Sequence, residues 1–160
     1  MMDGKGYRGI GSQEQRNRSE ENRAINNFNQ KLSNRDLSSI TPEEIVRDAE
    51  EIVKSLPRRK GEERGTTRTQ IRNLFNIIHD ALKTKSGTGG IKRQLILAKP
   101  KIAYMCRKKE NKPLVDCMLR FVDKVIGKND DESYEKLRTF VEALVAYERY
   151  YGDSGGDKNE

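Results

Sequence analysis

Residues 65–85 read GTTRTQIRNLFNIIHDALKTK. Ile71, Leu74, Phe75, Ile78, Ala81 and Leu82 recur at three- and four-residue steps, so they fall on one side of a helix. Thr66 or Thr67 is placed to cap it, because a side-chain oxygen there can accept from N–H groups left unpaired in the first turn. Arg68, Arg72, Asn76, His79 and Lys83 gather on the other side. One helix thus turns an apolar face to a core and a cationic stripe outward. The expected partner of that stripe is a phosphate backbone.

Composition frames this helix. The chain has 160 residues, enough for one domain with a single core. Apolar residues make up 33% and charged residues 36%, so folding requires the apolar residues to sit on strongly patterned segments. There is no Trp, Pro is sparse and strand-like alternation is hard to find, which predicts an all-α fold. Lys and Arg number 32 against 25 acidic residues, a net charge of +7. Such an excess favours polyanions through counterion release, and is also compatible with an acidic protein partner or with solubility alone. No apolar run is long enough to span a membrane and the N-terminus has no apolar signal core, so a cytoplasmic protein is expected.

Working outward, residues 1–37 read as a flexible polar arm, with Ile25, Phe28 and Leu32 spaced for one weak helix over about 20–32. Thr41-Pro42-Glu43-Glu44 is a helix start: a cap, a proline at the first position and two carboxylates at the positive end of the dipole. Ile45, Val46, Ala49, Ile52, Val53 and Leu56 give its apolar face, and Pro57 ends it. Residues 58–65, RRKGEERG, read as an exposed charged loop, and 86–90, SGTGG, as a turn. Residues 91–109 are helical, and at Pro100 either two short helices meet or one long helix kinks. Ile102, Ala103, Met105 and Cys106 are expected inward there, with Lys101, Tyr104, Arg107 and Lys108 on the other side. Tyr104 can stack on a base or ribose, or pack its ring on the core edge. Pro113 opens the most apolar helix, expected to be central and closed by Gly127. A last helix runs from about 132 to 151 and puts Tyr134, Leu137, Phe140, Val141, Leu144 and Val145 inward. The sum is a compact bundle of about five helices over 38–152, with flexible residues at 153–160.

Chemistry is thin. His79 is the single histidine and has no evident orienting carboxylate, since Asp80 projects about 100° away on a helix. No carboxylate pair has metal-ligand spacing on an apolar face. Cys106 and Cys117 alone cannot make a structural zinc site and read as buried, reduced core residues. No catalytic residue, metal or cofactor is expected.

Three stretches carry a family resemblance: 67–74, TRTQIRNL; 97–107, LAKPKIAYMCR; and 140–151, FVEALVAYERYY. In this order they resemble motifs of the small helical subunit of the type III-A CRISPR interference complex, the Csm complex. The likeness covers about 41–152 and leaves the segment before it outside. It implies a non-catalytic subunit in antiviral defence, whose copies stack head to tail beside the backbone subunits of a ribonucleoprotein filament and line the groove for crRNA and target RNA. It implies RNA contacts at Arg68, Gln70 and Arg72 from the first stretch and at Lys101, Tyr104 and Arg107 from the second. Arg64 and Lys108 join them from the basic faces alone. The alternative is a helical DNA-binding regulator, for which the connection over 57–65 is long compared with a helix-turn-helix.

Overall fold

The computed structural model of the chain describes residues 23–56, 62–84, 87–105 and 112–153, with the side chains of all of these except 62–67, 88 and 153. The described residues are all helix and connection: α1 (23–34), a 3-10 turn at Leu37–Ser39, α2 (Pro42–Ser55), α3 (Glu62–Leu82), α4 (Gly87–Tyr104), α5 (Lys112–Lys128) and α6 (Asp131–Asp153). Among them, none is long and apolar enough to cross a membrane.

The start of α2 is as its sequence dictates. Thr41 accepts from the Glu44 backbone N–H at 3.2 Å, and Glu44 Oε2 accepts from the Thr41 N–H at 3.0 Å, a reciprocal capping box. Ile45, Ala49, Ile52 and Val53 are buried from it. Two other boundaries differ from expectation. Helix α3 starts at Glu62, so Thr66 and Thr67 lie inside the helix and not at its start. Gly65 weakens a helix by only about 1 kcal/mol relative to Ala. The glycines of 86–90 form the first turn of α4 from Gly87 onward. Gly87 has φ +79°, a left-handed conformation open to glycine.

Pro100 sits inside one continuous α4. It removes the N–H that would bond the Ile96 carbonyl, and Ile96 and Leu97 are exposed there, so water can supply the missing donor. Ala103 is exposed, contrary to the inward placement expected, while Ile102 and Met105 are buried and Cys106 lies outside the described residues. Helix α5 does not stop at Gly127. The residue that turns the chain is Asn129, with φ 51° and its N–H on the Val125 carbonyl at 2.8 Å. Its side-chain oxygen accepts from the Tyr134 hydroxyl at 2.6 Å, which fixes the turn against α6.

The hub is α6, whereas the sequence favours α5, the most apolar helix. Helix α6 packs on α2, α3, α5 and the 3-10 turn, and α4 packs on α3 and α5. Of the expected arm over 1–37, residues 1–22 lie outside the described residues and 23–34 form α1. Ile25, Phe28 and Leu32 are fully buried, and α1 belongs to the core. Phe28 stacks on Phe140 of α6 with centroids 4.7 Å apart and tilts against Phe121 of α5 at 5.5 Å, while Phe121 and Phe140 meet at 5.3 Å. The segment is polar in composition because its other face is solvated or ion-paired. Lys31 Nζ lies 2.8 Å from Asp48, and Arg35 forks onto both oxygens of Glu44 at 2.6 and 3.1 Å. Lys128 of α5 meets Asp36 at 2.8 Å, and the buried Lys136 of α6 donates to the Leu37 carbonyl at 2.9 Å.

Cys117 is fully buried, which pushes its thiol up to about 12 and leaves it unreactive at neutral pH. Glu44 is held down to about 2 by the hydrogen bond from Arg35 and then by that from the Thr41 backbone. Asp36 is held down to about 2 by Lys128 and then Ser38. Both carboxylates therefore favour the folded chain most above their ordinary carboxylate range. That contribution is lost as pH falls towards about 2.

Phe28→Ala should destabilise the chain by about 3–5 kcal/mol in urea titrations, the scale for removing a buried ring. No such change is expected of a helix lying loosely outside the core. In acid titrations followed by circular dichroism, stability should decline from about pH 4.5 downward, and Glu44→Gln should flatten that limb while lowering stability at pH 7.

Candidate nucleic-acid interface

Helix α3 turns Ile71, Leu74, Ile78, Ala81 and Leu82 into the core. Its neighbouring flank carries Arg68, Arg72, Phe75, His79 and Lys83, spaced three and four residues apart. Helix α6 packs beside that flank. Where the two meet there is a recess of about 100 Å3 lined by Arg68, Ile71 and Arg72 from α3 and by Val145, Glu148 and Arg149 from α6. Its apolar floor follows from Ile71 and Val145 extending the core faces of the two helices. Its rim holds three guanidinium groups and one carboxylate, an excess of positive charge.

The four charges have different roles. Glu148 is 8% exposed, and Arg68 Nε donates to its Oε1 at 3.0 Å. Arg68 therefore has a duty inside the chain: it neutralises a buried acid and ties α3 to α6. Arg72 and Arg149 are exposed, and among the described residues neither makes an ion pair. These two are placed to meet an anion from solvent. Arginine suits that role because its planar fork matches phosphate oxygens.

The expected site residues separate into groups. Arg68 and Arg72 come together at the recess. Gln70, two residues from each, projects about 160° from them and does not line it. It is half-buried, and its amide oxygen is buried without a hydrogen-bond partner among the described residues. Lys101 and Tyr104 stand exposed on the outer face of α4, Tyr104 at 70%, apart from the recess residues. Arg64 lies in α3, but its side chain is outside the described set, as are Arg107 and Lys108 altogether. Lys92 and Arg93 add exposed cations to α4, whereas Lys99 is taken up by Asp123 at 2.6 Å.

Arg149 is the residue that sequence reasoning misses. Read locally, the last helix shows its core face, and nothing says that Val145 and Arg149 will lie beside Ile71 and Arg72. The one available signal is the basic position within FVEALVAYERYY, the third stretch of the resemblance. Among the described residues, no group of three His, Cys, Asp or Glu side chains is arranged to hold a metal ion.

A family model described as Csm2 Type III-A matches residues 39–154. Neither the curated proteins nor the solved structures compared with the chain give a match.

The Arg68–Glu148 pair predicts an asymmetry. Arg68→Ala strands a nearly buried carboxylate and should cost about 1–3 kcal/mol of stability. Glu148→Ala leaves a guanidinium that can turn to water and should cost less. Thermal denaturation of the two variants checks this order, and equal losses would mean that the pair is not what holds α3 to α6.

Proposed function

The chain belongs to the Csm2 Type III-A family, the non-catalytic small subunits of the type III-A CRISPR effector, and from that membership we propose that its α3–α6 recess binds the backbone of crRNA or target RNA within the assembled complex. The observation that carries this reading is the convergence of Arg68, Arg72 and Arg149 on one recess from two helices distant in sequence. Several cations elsewhere on the chain are spent differently. Lys31, Arg35, Lys128 and Lys136 are all engaged by acids or carbonyls of the same molecule around α1 and the 3-10 turn. Exposed cations outside these pairs stand at Arg72 and Arg149 beside the recess and at Lys92, Arg93 and Lys101 of α4, and also at Arg23, Arg47 and Arg120 of α1, α2 and α5.

Phosphate contacts of this kind carry no sequence information, which suits a subunit working where guide pairing selects the target. In this reading the subunit is a spacer and a cationic lining. Copies follow one another head to tail along the filament, and each offers its recess to the same RNA. Lys101 and Tyr104, with Arg93, give α4 a second basic face for the RNA or for neighbouring subunits.

The double variant Arg72→Glu/Arg149→Glu tests the reading without touching the structural pair at Arg68. In the reconstituted complex, RNA affinity at moderate salt should fall at least tenfold. The slope of log affinity against log salt should shrink by about 2 for each copy of the subunit on the RNA, close to one for each phosphate that is no longer neutralised. The circular-dichroism spectrum should stay helical. Unchanged affinity and slope would overturn the assignment of this recess.

A further inference from the structure

The flank of α3 that enters the recess continues beyond it. Phe75 follows Arg72 by three residues, His79 follows Phe75 by four, and Lys83 follows His79 by four, so they form one line along the helix. From Arg72 to Lys83 the line runs about 16 Å at 1.5 Å per residue. The Phe75 and His79 rings are stacked, with centroids 5.0 Å apart and planes only 20° from parallel. Both residues are half-buried, and Phe75 also packs against the core. An exposed arginine, a parallel aromatic pair and an exposed lysine, the last 3.6 Å from the solvated Asp80 carboxylate, thus succeed one another.

We propose that the Phe75–His79 pair is a stacking platform for an unpaired nucleobase of the RNA whose backbone the recess holds, with Arg72 and Lys83 meeting the phosphates on either side. This rests on the reading above and extends it from backbone to base. The imidazole is supported by a phenyl ring that is itself anchored in the core, so little freedom is lost when a base lies against it. Every base has an aromatic face, so such a platform is indifferent to sequence. The other use of this pair is helix stabilisation between neighbouring turns, which would affect folding and leave the choice of ligand unchanged.

The full-length chain is titrated with an oligouridine and with an abasic ribose-phosphate oligomer of the same length, which carry the same charge. The native chain should bind the oligouridine about five- to tenfold more tightly, the low end of the range for stacking one base. His79→Ala should remove that preference while leaving affinity for the abasic strand unchanged. His79→Phe should keep the preference, and Phe75→Leu, which retains apolar bulk in the core, should reduce it. Arg72→Glu/Arg149→Glu should weaken both ligands together. If that double variant changes neither while His79→Ala still removes the preference, the recess reading and the Arg72 phosphate contact fail and the stacking pair itself stands. A native chain that does not distinguish the strands, a His79→Ala loss equal for both, or a His79→Phe variant without preference overturns the platform.

Discussion

Three phenylalanine rings, one each from α1, α5 and α6, meet in the centre with centroids 4.7–5.5 Å apart. A chain with 33% apolar residues has few side chains to spend on a core, and this contact uses them where three helices can share each ring. It fixes α6 as the hub. With α6 held by Phe140 on one side, its Val145, Glu148 and Arg149 are presented to α3, and the recess lies where they meet Arg68, Ile71 and Arg72. The polar partners of α1 then set its angle. Lys31 and Arg35 reach α2, while Asp36 and the Leu37 carbonyl are taken by lysines of α5 and α6.

Much of this architecture is written in local pattern. Thr41-Pro42-Glu43-Glu44 specifies the start of α2 without help from elsewhere, and the inward faces of α2, α5 and α6 follow from three- and four-residue spacing. What local pattern does not contain is the destination of α1. Ile25, Phe28 and Leu32 are three apolar residues in a polar stretch, and they read as a weak helix until Phe121 and Phe140 provide a place for Phe28. The start of α3 is obscured for the opposite reason. Gly65, Thr66 and Thr67 resemble a boundary, yet a helix already begun at Glu62 absorbs their small individual costs.

The candidate interface divides in the same way. The stripe of Arg68, Arg72, His79 and Lys83 is legible because it lies on one helix. Its differentiation is not, because Glu148, 80 residues from Arg68, turns one arginine into a structural tie and leaves the next for solvent. Gln70 stands in the same stretch as Arg68 and Arg72 but on a different side of α3, so membership of one motif does not imply membership of one surface. The resemblance places the chain correctly in its family. Which atoms of a motif face outward is decided by the packing of α6 on α3.

Glu44 has two employments at once. One oxygen closes the first turn of α2 and both receive the guanidinium that fastens α1. A carboxylate shared in this way makes nucleation of one helix and attachment of another a single cooperative event. Peeling α1 away also withdraws the cation that helps orient the cap, so the two segments are expected to melt as one unit and to shield their amides from exchange together.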